Sequence, residues 1–253
     1  MRKLRNPNFQ DTHVTVYSGL VELEATENGL IRYSTAIVRK LFKHLDISVS
    51  SVICDFGAGT GFLARIFKDS FGVTPICVEL DSNLSQKLKE EFICVERLEQ
   101  LEVTFDAIYT SNVLEHIEDD YAALVALRDK LVVGGRLGIY VPAHQFLYSD
   151  LDRQVGHFRR YSKPELLSKV LLAGFEVNYI RYDDFLGFFA SSLLKLVGYS
   201  RRGLGSSGSL WVYDNAIYPI SAVLDKVGFN RLLGKNIILV CSVPSIGLET
   251  QSN

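Results

Sequence analysis

The chain has 253 residues, 47% of them hydrophobic and 22% charged, enough for one sizeable buried core and too apolar for a disordered chain. A formal charge of −2 excludes a general electrostatic attraction to nucleic acid, so no nucleic-acid partner is expected. The four cysteines, Cys54, Cys77, Cys94 and Cys241, have neither metal nor disulfide spacing, which fits a reducing, cytoplasmic setting.

The basic stretch around Arg2, Lys3 and Arg5 lacks the apolar run of a signal peptide, and residues 1–33 read as an N-terminal extension. Helical spacing of Ile37, Leu41 and Leu45 then predicts a helix over 34–45. Strands are predicted at 51–55, 74–79, 92–95 and 105–110, with helices at 61–69 and 82–91 between them. Strand and helix in alternation imply a parallel sheet covered on both faces.

A helix over 120–131 is expected to stop at a left-handed cap on Gly134-Gly135, followed by a strand at 136–141 that Pro142 ends. Ser162 and Glu165 form a capping box with Pro164 in the first turn, launching a helix that closes at Gly174. Strands at 175–182 and 236–243 complete the pattern. The residues between them, 183–235, are too many for a turn and read as a helical insertion or lid, with a flexible Gly/Ser piece at 203–209.

The run Val52-Ile53-Cys54-Asp55-Phe56-Gly57-Ala58-Gly59-Thr60-Gly61 places a glycine-rich turn between a strand and a helix, where doubly wound sheets bind nucleotides. The third glycine falls one residue early for a dinucleotide fingerprint, which disfavours a nicotinamide oxidoreductase, and no Gly-Lys-Ser/Thr follows for a P-loop. Glu79, about twenty residues further on, ends the second strand, where an acid accepts ribose hydroxyls; Asp81 is the less favoured alternative.

Asp55 followed by Gly57, Gly59 and Gly61 resembles the first motif of class I S-adenosylmethionine (SAM)-dependent methyltransferases. The stretch from Phe105 to Asp120, containing Val113-Leu114-Glu115-His116-Ile117, resembles their fourth strand and the loop after it. The runs Val141-Pro142-Ala143 and Gly156-His157-Phe158-Arg159-Arg160-Tyr161-Ser162 are similar to those of a bacterial subgroup that often accompanies glycosyltransferases. The resemblance covers about residues 20–243 and implies an α/β, Rossmann-like sheet of seven strands. Its expected order is 3-2-1-4-5-7-6, mostly parallel with the last strand antiparallel. Helices cover both faces, and a helical insertion lies between strands six and seven. Residues 34–182 plus 236–245 would form the core.

The resemblance also implies SAM as cofactor, with Asp55 near the methionine ammonium and Gly57, Ala58, Gly59 and Gly61 along the methionine and ribose. Glu79 would take the ribose, Glu96 the adenine side, and Ser111 and Asn112 would sit beside the cofactor. The expected function is methyl transfer to a small-molecule, saccharide-type or lipid-linked acceptor; the alternative is a catalytically silent binding module on the same fold.

His144, His157 and Tyr148 are the candidate catalytic residues, since loops beyond carboxyl strand ends face substrate and a hydroxyl acceptor benefits from a general base. Arg159 and Arg160 either clamp an anionic acceptor or pair with Asp150 or Asp152. No metal is expected; the only candidate set weighed is Glu115, His116 and His144. The apolar segment 185–199, followed by Arg201 and Arg202, reads as a lid or homodimer contact, with a peripheral contact at the inner membrane surface as the sharper alternative.

Overall fold

The structure, a computed structural model, describes residue 27, residues 29–197 and residues 207–245. Most of the N-terminal extension, Tyr199, Arg201, Arg202 and residues 203–206 of the Gly/Ser piece lie outside the described residues.

Helix α1 (Ile31–Leu45) opens the described core and buries Ile37, Val38, Leu41 and Leu45. The alternation then runs β1 (Ile53–Phe56), α2 (Phe62–Phe71), β2 (Ile76–Val78), α3 (Ser82–Leu88), β3 (Cys94–Val95) and β4 (Phe105–Ser111). It continues with α4 (Asp120–Asp129), β5 (Leu131–Pro142), α5 (Asp150–Gln154), α6 (Lys163–Leu172), β6 (Glu176–Asp183) and β7 (Asn236–Ser242). The sheet order is β3-β2-β1-β4-β5-β7-β6, parallel except that β7 runs antiparallel to both β5 and β6, as the resemblance implied.

Strand side chains alternate between two cores. Cys54, Ile108, Leu137 and Leu239 join Leu124, Leu127, Leu166 and Val170 of α4 and α6 on one face. Ile53, Ala107, Tyr109 and Tyr140 join α1 and Phe67 of α2 on the other. Gly138 sets how closely α1 approaches, since a Cβ there would lie 2.9 Å from Leu41 Cδ2. All four cysteines are free and buried.

The end of α4 corrects one expectation. The helix stops at Asp129 with a right-handed Lys130 cap, and β5 begins at Leu131, before Gly134-Gly135. The glycines instead serve a bulge in β5, where pairing with β4 jumps from Phe105↔Leu131 to Ala107↔Arg136. Gly134 is left-handed at φ +78°, and a Cβ on Gly135 would lie 2.8 Å from the Val132 carbonyl oxygen.

Between β6 and β7 the described residues form the helices α7 (Phe185–Val197), α8 (Ser207–Val212) and α9 (Tyr218–Lys226), the last two joined through one wide π turn. Buried carboxylates fasten them to the core. Asp225 accepts from the Asp184 and Phe185 amides at 2.9 and 3.2 Å, and Lys40 of α1 pairs with Asp183. Asp214 accepts from the Arg32 and Tyr33 amides at 3.0 and 2.8 Å, supplying the cap that α1 lacks locally.

Candidate active site

The first half of the site is built on the turn between β1 and α2. Gly57, Gly59 and Gly61 all have positive φ, +80°, +57° and +83°. A Cβ on Gly57 would fall 2.3 Å from Val113 Cγ2, and one on Gly61 would fall 2.4 Å from Leu88 Cδ2. The bare glycines thus let α3 and the loop after β4 close onto the turn. The Val113 contact brings its neighbour Asn112, itself left-handed at φ +54°, to the turn, one residue after β4 ends at Ser111.

Glu79 crosses to the same turn. Its Oε2 accepts the Gly59 amide at 2.7 Å and its Oε1 accepts the Asp81 amide at 2.9 Å. Burial raises its pKa above the ordinary value, and these amide bonds pull it back part of the way. Asp81 caps α3 instead, accepting from the Asn83 and Leu84 amides at 2.9 and 3.1 Å. Glu96 follows β3 on the same edge of the sheet, half-buried, with its amide bonded to Gln100.

Asp55 is 2% exposed, and its Oδ2 has no hydrogen-bond partner. Burial pushes its carboxyl up to about 7, with Tyr109 lowering and Glu79 raising it. A buried acid with an unmet oxygen fits a cationic ligand group, and Glu79 on the turn fits a hydroxylated one. The donor set therefore matches the ammonium and ribose of SAM.

The second half comes from the loops after β4 and β5. Asp152 organises it: Arg160 Nε and Nη2 donate to its two oxygens at 2.7 and 3.0 Å, and His157 Nδ1 donates at 2.9 Å. Burial pushes Asp152 up, but the bonds from His157, Arg160 and Ser149 outweigh it and hold the carboxyl well below the usual carboxylate range. An ionised Asp152 can only accept, so the His157 proton sits on Nδ1 and Nε2 turns to Glu115 Oε1, 3.9 Å away. Glu115 is fully buried with neither carboxylate oxygen hydrogen-bonded. Its pKa is pushed up to about 8 by burial, with Arg160 lowering and Asp152 raising it.

The other expected residues fall as follows. The Tyr148 hydroxyl donates to the His157 carbonyl at 2.6 Å, within the loop. The His144 Nε2 bonds to the Gly234 carbonyl at 3.0 Å, and its ring lies 4.9 Å from Tyr182. Arg159 is held by the Ile117 and Glu118 carbonyls and Asp120, and Arg160 by Asp152, with Arg160 Nη1 buried and without a hydrogen-bond partner. His116 stands edge-on to His157, ring centroids 4.5 Å apart; burial and the neighbouring His157 ring lower its pKa to about 4, against the Gly156 backbone bond that raises it. The ligand atoms of Glu115, His116 and His157 lie within 4.8 Å of one another, a group that could hold a metal ion. His157, not His144, is the third member beside Glu115 and His116.

Compared with known families, residues 29–179 match the model described as a methyltransferase domain. The chain belongs to this methyltransferase family. Compared by sequence with the curated proteins, it matches none. Among solved structures, the methyltransferase fold recurs in the complex of the Haloferax volcanii Trm112 methyltransferase activator with a methyltransferase. There the TM-score is 0.60 at 13% identity, covering 92% of this chain and 100% of that one. A SAM-dependent methyltransferase from Archaeoglobus fulgidus gives 0.57 at 15% identity, covering 88% and 99%. The Haemonchus contortus phosphoethanolamine N-methyltransferase 2, in complex with SAM, gives 0.57 at 17%, covering 92% and 60%. SAM is the cofactor of this methyltransferase.

Proposed function

We propose that this methyltransferase moves the SAM methyl group to a hydroxyl of a small-molecule acceptor of saccharide or lipid-linked type. The observation that carries the catalytic half is the His157 ring, held at Nδ1 by Asp152 at 2.9 Å. In the bound state the cofactor supplies an electrophilic methyl on a sulfonium sulfur. Asp55 would hold its ammonium and Glu79 its ribose, with Glu96 on the adenine side and Ser111 and Asn112 alongside. His157 Nε2 takes the acceptor hydroxyl proton as the methyl is transferred, and Asp152 stabilises the resulting imidazolium. Arg160 holds Asp152 in place and so acts through it. The run from Gly156 to Ser162 supports the bacterial subgroup and its saccharide-type acceptors.

The test is transfer from methyl-labelled SAM to a panel of saccharide and lipid-linked acceptors. His157→Asn should lose roughly 10²–10⁴-fold in turnover while SAM affinity holds. Wild-type-like turnover by that variant removes His157 as the base. A wild-type protein that binds SAM yet labels no acceptor is the silent binding module instead.

A further inference from the structure

Among the described residues, the exposed charges between β6 and β7 are of one sign, Lys195, Lys226 and Arg231. Residues 185–235 contain six cations, Lys195, Arg201, Arg202, Lys226, Arg231 and Lys235, against two acids, Asp214 and Asp225. Both acids are buried, one capping α1 and the other holding the start of α7. Among the described residues this segment therefore shows no exposed carboxylate, in a chain whose formal charge is −2.

The same surface is apolar. On α7, Phe189, Leu193 and Leu196 are 50%, 61% and 85% exposed. Ile220 and Val223 on α9 and Val227 at its end recur at helical spacing and are 58%, 59% and 69% exposed. The two helices pack together, with the Leu186 amide donating to Ser221 Oγ at 2.9 Å, so the stripes lie on neighbouring helices. Apolar stripes left toward water mark an interaction surface.

A second copy is a poor occupant, because face-to-face pairing would bring cations against cations with no exposed acid to meet them. An anionic lipid surface matches both properties: apolar side chains enter the acyl boundary while lysine and arginine stems reach headgroup phosphates. No helix among the described residues is long and apolar enough to cross a membrane, so the contact is in the plane of the interface. We infer that α7 and α9 dock this protein onto an anionic lipid bilayer. Helix α7 packs on the loop after β5, with His144 5.2 Å from Phe188 and Lys195 donating to the Phe146 carbonyl. Docking itself does not depend on the acceptor reading; delivery of a lipid-linked acceptor does.

The chain has one tryptophan, Trp211, on α8 and 62% exposed, which makes its emission a probe of this segment alone. Full-length protein is mixed with phosphatidylglycerol-containing vesicles, with pure phosphatidylcholine vesicles, and with the former at high salt. The expected result is a blue shift and co-sedimentation with the anionic vesicles, weakened roughly tenfold or more by removing the anionic lipid or adding salt. Leu193→Glu with Val223→Glu, both at exposed positions, should abolish vesicle binding while SAM affinity is unchanged. Glu79→Ala should weaken SAM binding and keep vesicle binding, which separates failure of this inference from failure of the cofactor site. Absent or equal binding to the two lipids overturns the inference. So does a blue shift that grows with protein concentration without lipid, which would assign the face to a second copy.

Discussion

Glu79 Oε2 accepts the Gly59 amide at 2.7 Å, so the acid that ends β2 is already drawn onto the glycine turn that β1 presents. Losing a hydrogen bond to a charged group costs about 1.5–3 kcal/mol. Glu79→Ala should therefore weaken SAM binding by roughly 10- to 100-fold. Asp55→Ala should act in the same direction, and His157→Ala should change affinity little. Calorimetric titration of the three variants checks this; the reverse ranking would misplace the cofactor.

Asp55 makes stability depend on pH. Its carboxyl rises from the ordinary 3.8 to about 7, so between these values the folded chain holds a proton that the unfolded chain has released. The stabilisation is full below the lower value and is lost as pH rises through the upper one. Asp55→Asn removes that loss. Its stability relative to wild type should grow between pH 5 and pH 8, by on the order of 2–4 kcal/mol without cofactor. Melting curves that keep a constant offset across this range would show that Asp55 does not titrate there.

Gly57 is required by the protein's own packing. With φ at +80° and Val113 Cγ2 2.3 Å from the site of a Cβ, Gly57→Ala combines backbone strain with overpacking. The expected cost is about 2–4 kcal/mol. Val113→Ala in the same chain should recover part of it by removing the clash, leaving the strain. Chemical denaturation of both variants measures the two contributions; no recovery would mean that the Val113 contact is not what excludes a side chain.

Asp152 serves Arg160 and His157 together. Asp152→Asn leaves the buried Arg160 charge without its partner and should cost about 3–5 kcal/mol at neutral pH. Because the Asp152 carboxyl is held below its ordinary value, its contribution is present above 3.8 and is lost as pH falls through its lower folded value. The difference between variant and wild type should accordingly narrow in acid, as urea titrations at neutral and low pH would report.

The glycine turn and the alternation of strands and helices were legible because their signals are local: three closely spaced glycines after Asp55, and the capping box at Ser162, whose Oγ accepts the Glu165 amide at 3.3 Å. The Gly134-Gly135 pair misled because a glycine suits a bulge as well as a helix cap, and pairing with β4 decides between them. His144 could not be placed from sequence, since its partner is Gly234, 90 residues away. The cap on α1 was equally hidden, because Asp214 reaches Tyr33 from 181 residues along the chain. Asp152 and His157 are only five residues apart, yet nothing in their spacing distinguished a buried pair from two solvated side chains.

The central claim is tested most directly by the thermal shift of purified protein, free of copurified ligand, with SAM, S-adenosylhomocysteine, NAD and NADP in parallel. A ligand at about a hundred times its dissociation constant adds roughly 2.7 kcal/mol, worth several degrees for a domain of this size. The account predicts stabilisation by the two S-adenosyl compounds alone, reduced in Glu79→Ala. Stabilisation by the nicotinamide cofactors instead, or by none of the four, would contradict it.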